Sequence, residues 1–178
     1  HGSTDKIIIA NAGNNYTGAT RVSYGVVDYG AENAFGKSSG LTILNTTDST
    51  VTVVDMKGLS QTGSNAVGTL TMTDGMAELR LNGGRIQFNE AVNVSGGSKI
   101  TWGANGELIL NGGGVVAGAG ALSGSGNLVL NGAAETLTVN GSNNGLSASV
   151  SINVSNTAAL NDFKGLGTGS INLGGSLG

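Results

Sequence analysis

The chain has 178 residues, a formal net charge of −3, 33 glycines, and neither proline nor cysteine. Its eight basic residues are scattered, which argues against nucleic acid or an anionic membrane as partner, since both call for clustered Lys and Arg. With 38% hydrophobic and 11% charged residues the chain lies outside the disordered class, and no apolar run reaches the eighteen residues that a membrane-spanning helix needs.

The opening His1–Ser3 reads as a tag remnant, so residues 4–178 are expected to form a single domain cut from a longer protein. The absence of cysteine suits a chain exported unfolded, which must not be cross-linked on the way. The first stretch with a chemical suggestion is "GAENAFGKSSG", Gly30 to Gly40, whose Gly-Lys-Ser resembles a phosphate-binding loop. That loop needs four residues between its glycines and a helix after it. Here Gly30 and Gly36 are separated by five, and the following "GLTIL" is strand-like. The stretch therefore reads as a turn with Lys37 in solvent.

Further along, apolar residues alternate in short runs closed by Gly, Asn, Ser or Asp, with almost no helical periodicity. From residue 68 these runs are "TLTM", "AELRL", "RIQF", "AVNV", "KITW", "ELIL", "ALSG", "NLVL" and "TLTV". One inward aliphatic from each run gives Leu79, Ile86, Val92, Ile100, Leu108, Val115, Leu122, Leu128 and Leu137, a step of roughly seven residues, about one short strand plus a tight turn. Three such steps make a coil of roughly 22 residues, within the range of solenoid repeats. The expected fold is all-β: a right-handed parallel β-helix of about eight coils, near 40 Å long. An antiparallel β-meander is the alternative.

A second repeat is written in letters: "LRLNG" at Leu79–Gly83, "LILNG" at Leu108–Gly112, "LVLNG" at Leu128–Gly132 and a looser "LTVNG" at Leu137–Gly141. Asn-Gly is a strong hairpin signal, which favours the meander. The runs lack the charged outward positions of an open antiparallel sheet, which favours the solenoid. In a solenoid Asn82-Gly83, Asn111-Gly112 and Asn131-Gly132 are turn residues whose amides can stack into a ladder.

The segment "NNYTGATRVSYGVVDYGAENAFGKSSGLTI", Asn14 to Ile43, resembles the autotransporter-associated β-strand repeat of Gram-negative type V secretion passengers. Asn14, Tyr16, Thr17, Gly18, Thr20 and Val22 match the first half of that repeat; Ala34, Phe35, Gly36 and Gly40 match the second. A C-terminal copy over 143–177 shares its ending at Leu166, Gly167, Gly169, Ile171, Leu173, Gly174, Gly175 and Leu177, but carries Gly145 and Leu146 where Tyr and Thr-Gly are expected. The resemblance implies a parallel β-helix, secreted or displayed on the surface of a Gram-negative cell. It implies as partners the rest of the passenger and a C-terminal outer-membrane barrel, both outside this segment, with host surfaces or neighbouring passengers as further candidates. It implies an adhesin, autoaggregation factor or virulence-factor stalk whose stepwise folding assists its own translocation.

Catalytic chemistry has few candidates. His1 is the only histidine, so neither a Ser-His-Asp relay nor a histidine metal site can be built. The Gly-Gly pairs lack the Asp of calcium-binding nonapeptides. No catalytic, cofactor-binding or metal-ligating residue is assigned, and the chain is read as a non-enzyme. The alternative is a carbohydrate-active β-helix in which Asp55 and Glu78, 23 residues apart, stack on one ladder as paired carboxylates. Ion pairing with Lys57 and Arg80 is the competing reading of the same residues. Tyr16, Tyr24, Tyr29, Trp102 and Phe163 are read as mostly stacked or half-buried at coil corners.

Overall fold

Short aliphatic runs bounded by turn residues cannot bury a face alone; they must lie against copies of themselves. The computed structural model describes residues 5–45, 50–131, 136–153, 159–160 and 163–174, and these form a stack of parallel strands. In chain order the strands are β1 (Lys6–Ile9), β2 (Ala19–Val22), β3 (Val26–Tyr29), β4 (Gly40–Ile43), β5 (Thr52–Asp55), β6 (Ser60–Gln61), β7 (Thr69–Met72), β8 (Ala77–Arg80), β9 (Arg85–Phe88) and β10 (Val92–Val94). They continue as β11 (Lys99–Thr101), β12 (Gly106–Leu110), β13 (Gly114–Ala117), β14 (Leu122–Ser123), β15 (Gly126–Leu130), β16 (Leu137–Asn140), β17 (Ser149–Ile152), β18 (Ala159–Leu160) and β19 (Ile171–Leu173).

Sheet A holds β1, β3, β5, β8, β11 and β14; sheet B holds β2, β4, β7, β10, β13, β16 and β18; sheet C holds β6, β9, β12, β15, β17 and β19. Neighbours within each sheet are parallel and belong to successive coils. The chain is thus a parallel β-solenoid, and the antiparallel meander does not form. It has about seven coils rather than eight. The coil length is 22 residues from Leu70 to Val92, but 29 from Leu41 to Leu70. The excess lies in the long connection between β4 and β5 and in the 3₁₀ turn Gly63–Asn65.

Inward residues stand on one another from coil to coil. In sheet A the row is Ile7, Val27, Val54, Leu79, Ile100 and Leu122. In sheet C, Phe88, Leu110, Leu130, Ile152 and Leu173 form one row and Gln61, Ile86, Leu108, Leu128, Val150 and Ile171 another. Sheet B corrects one expected core position: Val115 points outward and is 38% exposed, while Val116 is buried. The inward position before it, between Val92 and Leu137, is taken by Gly114. Gly114 has φ 121°, and a Cβ there would lie 2.0 Å from the Val92 carbonyl oxygen, so no larger residue fits.

Two buried amides stand where one of the three strands is missing. On the C side of the first coils a turn, residues 31–37, takes the place of a strand. Gln61, fully buried, closes that side: its Oε1 accepts from the Tyr29 hydroxyl at 3.2 Å and the Phe35 N–H at 3.1 Å, and its Nε2 donates to the Gly36 carbonyl at 2.7 Å and to that of Asn65. At the other end, beyond β14, the A side is taken by a 3₁₀ turn, Phe163–Leu166. There Asn143 accepts from Leu122 N–H at 2.9 Å and donates to the Gly165 carbonyl at 2.7 Å. Both side chains are satisfied, as burial demands.

The corrected phase has a measurable consequence. Leu108→Ala should cost about 2–5 kcal/mol through the cavity it leaves, whereas Val115→Ala should stay within about 0.5 kcal/mol. Denaturant unfolding followed by the fluorescence of Trp102, the only tryptophan, checks both. Equal losses at the two positions would contradict the phase.

Candidate functional site

The strongest concentration of charge lies on the outer surface of sheet A. Alternation along β3 and β5 turns Val27, Tyr29 and Val54 inward, so Asp28 and Asp55 point outward, and the parallel register sets one directly beside the other. Both side chains are nonetheless about 5% exposed, because lysines close over them. Lys6 Nζ lies 2.5 Å from Asp28 Oδ2. Lys57 Nζ bridges the pair, 2.7 Å from Asp55 Oδ2 and 3.7 Å from Asp28 Oδ2. Asp55 further accepts the Lys57 backbone N–H at 2.9 Å and the Asn82 side-chain amide, 2.9 Å from each carboxylate oxygen.

Burial pushes the Asp55 carboxyl up, but the hydrogen bonds from Lys57 and Asn82 together with the Lys57 charge outweigh it and hold Asp55 below its ordinary range. The hydrogen bond to Asp55 raises Lys57 in turn. Of the four carboxylate oxygens, Asp28 Oδ1 alone is buried without a hydrogen-bond partner.

Asp55 is in register with Arg80, and Glu78 lies beside Val53 and Lys99. The Asp55–Glu78 stack of the carbohydrate-active alternative therefore does not form: the coil measures 25 residues at this point, so a 23-residue spacing falls two positions short. Glu78 pairs instead with Arg80 of its own strand at 2.6 Å and accepts from Thr101 Oγ1 at 3.0 Å. This geometry neutralises carboxylates and leaves Asp55 without an open face for acid–base work.

The N-terminal motif residues tie two coils together. Asn14 Nδ2 donates to the Ala34 carbonyl at 2.6 Å, the Tyr16 hydroxyl donates to the Ala19 carbonyl, and Lys37 N–H donates to the Tyr16 carbonyl at 2.7 Å. Thr20 Oγ1 lies 3.0 Å from Ser38 Oγ, and Thr17 and Gly18 accept from Ser39 N–H. Gly36 has φ 59°, and a Cβ there would meet the Asn14 and Tyr16 backbone at 2.8 Å. Gly40 opens β4, packed against Thr69.

The C-terminal copy repeats the device on another face. Leu166 is buried like Phe35, and Gly167 follows it with φ 76°, as Gly36 follows Phe35. Thr168 N–H then donates to the Leu146 carbonyl at 2.8 Å, as Lys37 does to Tyr16. Gly169 packs against the Ala148 carbonyl and Gly174 against Asn153. Gly132 and Gly175 lie outside the described residues, as do His1–Ser3.

The Gly30–Gly40 stretch leads into β4, not into a helix, and Lys37 is exposed. Among the aromatics, Tyr29 and Trp102 are buried, whereas Tyr16 and Tyr24 are about half exposed. Tyr29 meets Phe35 edge-on with centroids 4.8 Å apart.

The Asn-Gly residues separate into two groups. Asn111 donates to Asn89 at 2.8 Å, Asn131 to Asn111 at 2.9 Å and Asn153 to Asn131 at 3.1 Å, forming an amide ladder along the corner after sheet C. Gln87 adds a donor to Asn89 at 2.7 Å. Gly112 sits against the Glu90 backbone beside this ladder. Asn82 and Gly83 instead form the corner between sheets A and C, both with positive φ, and Asn82 serves Asp55. Asn89 and Asn153 escape a letter search because no glycine follows them; the 22-residue spacing from Asn111 and Asn131 is the signal that finds them.

No protein-family model, no curated protein and no solved structure matches this chain significantly.

Lys57→Met should lower stability by about 1–3 kcal/mol at pH 7, less than for a fully buried pair because the Lys57 side chain is 45% exposed. A depressed carboxylate contributes stability above its unfolded value near about 4 and loses it as pH falls through the folded value. The gap between wild type and Lys57→Met should therefore narrow in acid; a gap independent of pH in urea titrations would contradict the assignment. Asn131→Ala removes two ladder bonds and should cost about 1–2 kcal/mol at neutral pH, with no loss if the ladder carries no load.

Proposed function

We propose that this chain is a non-catalytic structural segment of a secreted or surface-displayed autotransporter passenger of a Gram-negative cell, of the kind that serves as an adhesin, autoaggregation factor or virulence-factor stalk. The observation that supports this reading most is the coil-on-coil register, in which each coil offers the next a row of aliphatic side chains and an open strand edge. Stability in such a stack accumulates by neighbouring contacts. A chain emerging through an outer-membrane barrel can then dock coil upon coil and resist sliding back, with the remainder of the passenger and the barrel as its partners in cis. The motif residues of 14–43 support the reading because they serve the turn that closes a coil. The non-catalytic part rests on the engagement of Asp55 by Lys57 and Asn82.

Deletion of residues 143–178 from the displayed passenger should reduce the amount reaching the cell surface, measured by protease accessibility on intact cells. Undiminished display would contradict the role in translocation.

A further inference from the structure

Six asparagines of the chain are followed by glycine: Asn82, Asn105, Asn111, Asn131, Asn140 and Asn144. An Asn-Gly bond carries a chemical liability. The glycine has no Cβ to hinder its backbone nitrogen, which can swing towards the Cγ of the asparagine before it. Attack requires a side-chain amide free to turn and a glycine N–H free to be released, because an intramolecular reaction is fast only from a near-attack geometry.

Five of the six are held. Asn82 donates to both oxygens of Asp55 at 2.9 Å. Asn111 donates to Asn89 and accepts from Asn131, which accepts in turn from Asn153. Asn144 accepts from the Ser142 hydroxyl at 2.8 Å, and Asn140 is engaged as well. Asn105 differs. It is exposed at the corner between β11 and β12 with φ 67°, and among the described residues nothing hydrogen-bonds its side chain. The Gly106 N–H donates to the Gly103 carbonyl at 3.3 Å, a long contact for such a bond. The register accounts for the contrast with Asn82. Asn82 reaches back to Asp55, the outward residue of the coil before; for Asn105 the corresponding outward residue is Arg80, in register with Asp55 and paired with Glu78 at 2.6 Å. A guanidinium has no acceptor for an amide N–H.

We infer that Asn105 is a site of spontaneous covalent modification, deamidation through a cyclic imide. The Gly106 backbone nitrogen loses its proton to solvent hydroxide and forms a bond to Asn105 Cγ. The bond from Cγ to the side-chain nitrogen breaks, and that nitrogen leaves as ammonia with a proton from water. Water then opens the ring at either carbonyl to give aspartate or isoaspartate. The net change consumes one water and releases one ammonia, with no oxidant or reductant. Each product places a carboxylate on the outside of the corner. The isoaspartyl form also adds a backbone carbon between Trp102 and Leu108, both packed in the core, so the entry to β12 must shift. This inference does not depend on the passenger reading.

Ageing the folded protein in mildly alkaline buffer, followed by isoelectric focusing and chymotryptic peptide mapping, tests it. The folded wild type should accumulate one acidic form, with the exchange of NH for O confined to Asn105, while the other five Asn-Gly pairs lag by about tenfold or more. In urea all six should convert at similar rates. Asn105→Ser changes an exposed side chain and should keep wild-type circular dichroism while forming no acidic species over the same period. Folded wild type that stays unmodified while the urea-unfolded chain converts, conversion of another Asn-Gly pair as fast as Asn105, the same preference for Asn105 in urea, or an acidic form arising from Asn105→Ser at the wild-type rate would each overturn the proposal.

Discussion

Parallel stacking of one coil on the next, in a register that puts each inward side chain over its counterpart, is the constraint from which the rest of this molecule follows. It sets what each position can hold. Most inward sites take Leu, Ile, Val, Met or Phe, because such side chains are packed above, below and across the interior. Proline is absent, which suits a chain in which thirteen of the nineteen described strands are paired on both edges and need their N–H groups for the ladder. Corners carry glycine or asparagine where the chain must turn with positive φ, as at Asn82-Gly83.

The same constraint dictates where polarity is admitted. Parallel register brings like positions together, so an outward Asp in one coil finds an outward Asp in the next. Asp28 and Asp55 are tolerated side by side because Lys57 lies between them and Lys6 beside them. Asparagines brought together in this way gain instead, since an amide both donates and accepts; the ladder from Asn89 to Asn153 is the result. Gln61 and Asn143 use that versatility in the interior, each closing a side where a turn replaces a strand.

Much of the architecture is legible in the residues, because alternation within short runs and a step of about seven both follow from strand geometry. Phase is less legible. The "LNG" letters at Leu81–Gly83 and Leu110–Gly112 belong to different faces of the coil: one closes a strand of sheet A, the other a strand of sheet C. Asp55 and Glu78 fail to meet because the coil is longer there than the average. Val115 and Val116 are equally apolar, and it is the register with Val94 and Val139 on the neighbouring strands that places Val116 in the core. The Asp28–Asp55 pair was legible in principle, but its 27-residue spacing lies outside the mean coil.

The central claim is that like positions succeed one another along a single axis. Nitroxide labels on outward positions of sheet B, read pairwise by pulsed electron resonance, test it most directly. Thr42, Thr71, Asn93, Val115 and Thr138 succeed one another there. Backbone separations should grow by about 4.8 Å per coil, reaching about 19 Å between Thr42 and Thr138. Distances that fail to increase in that order would contradict the stack.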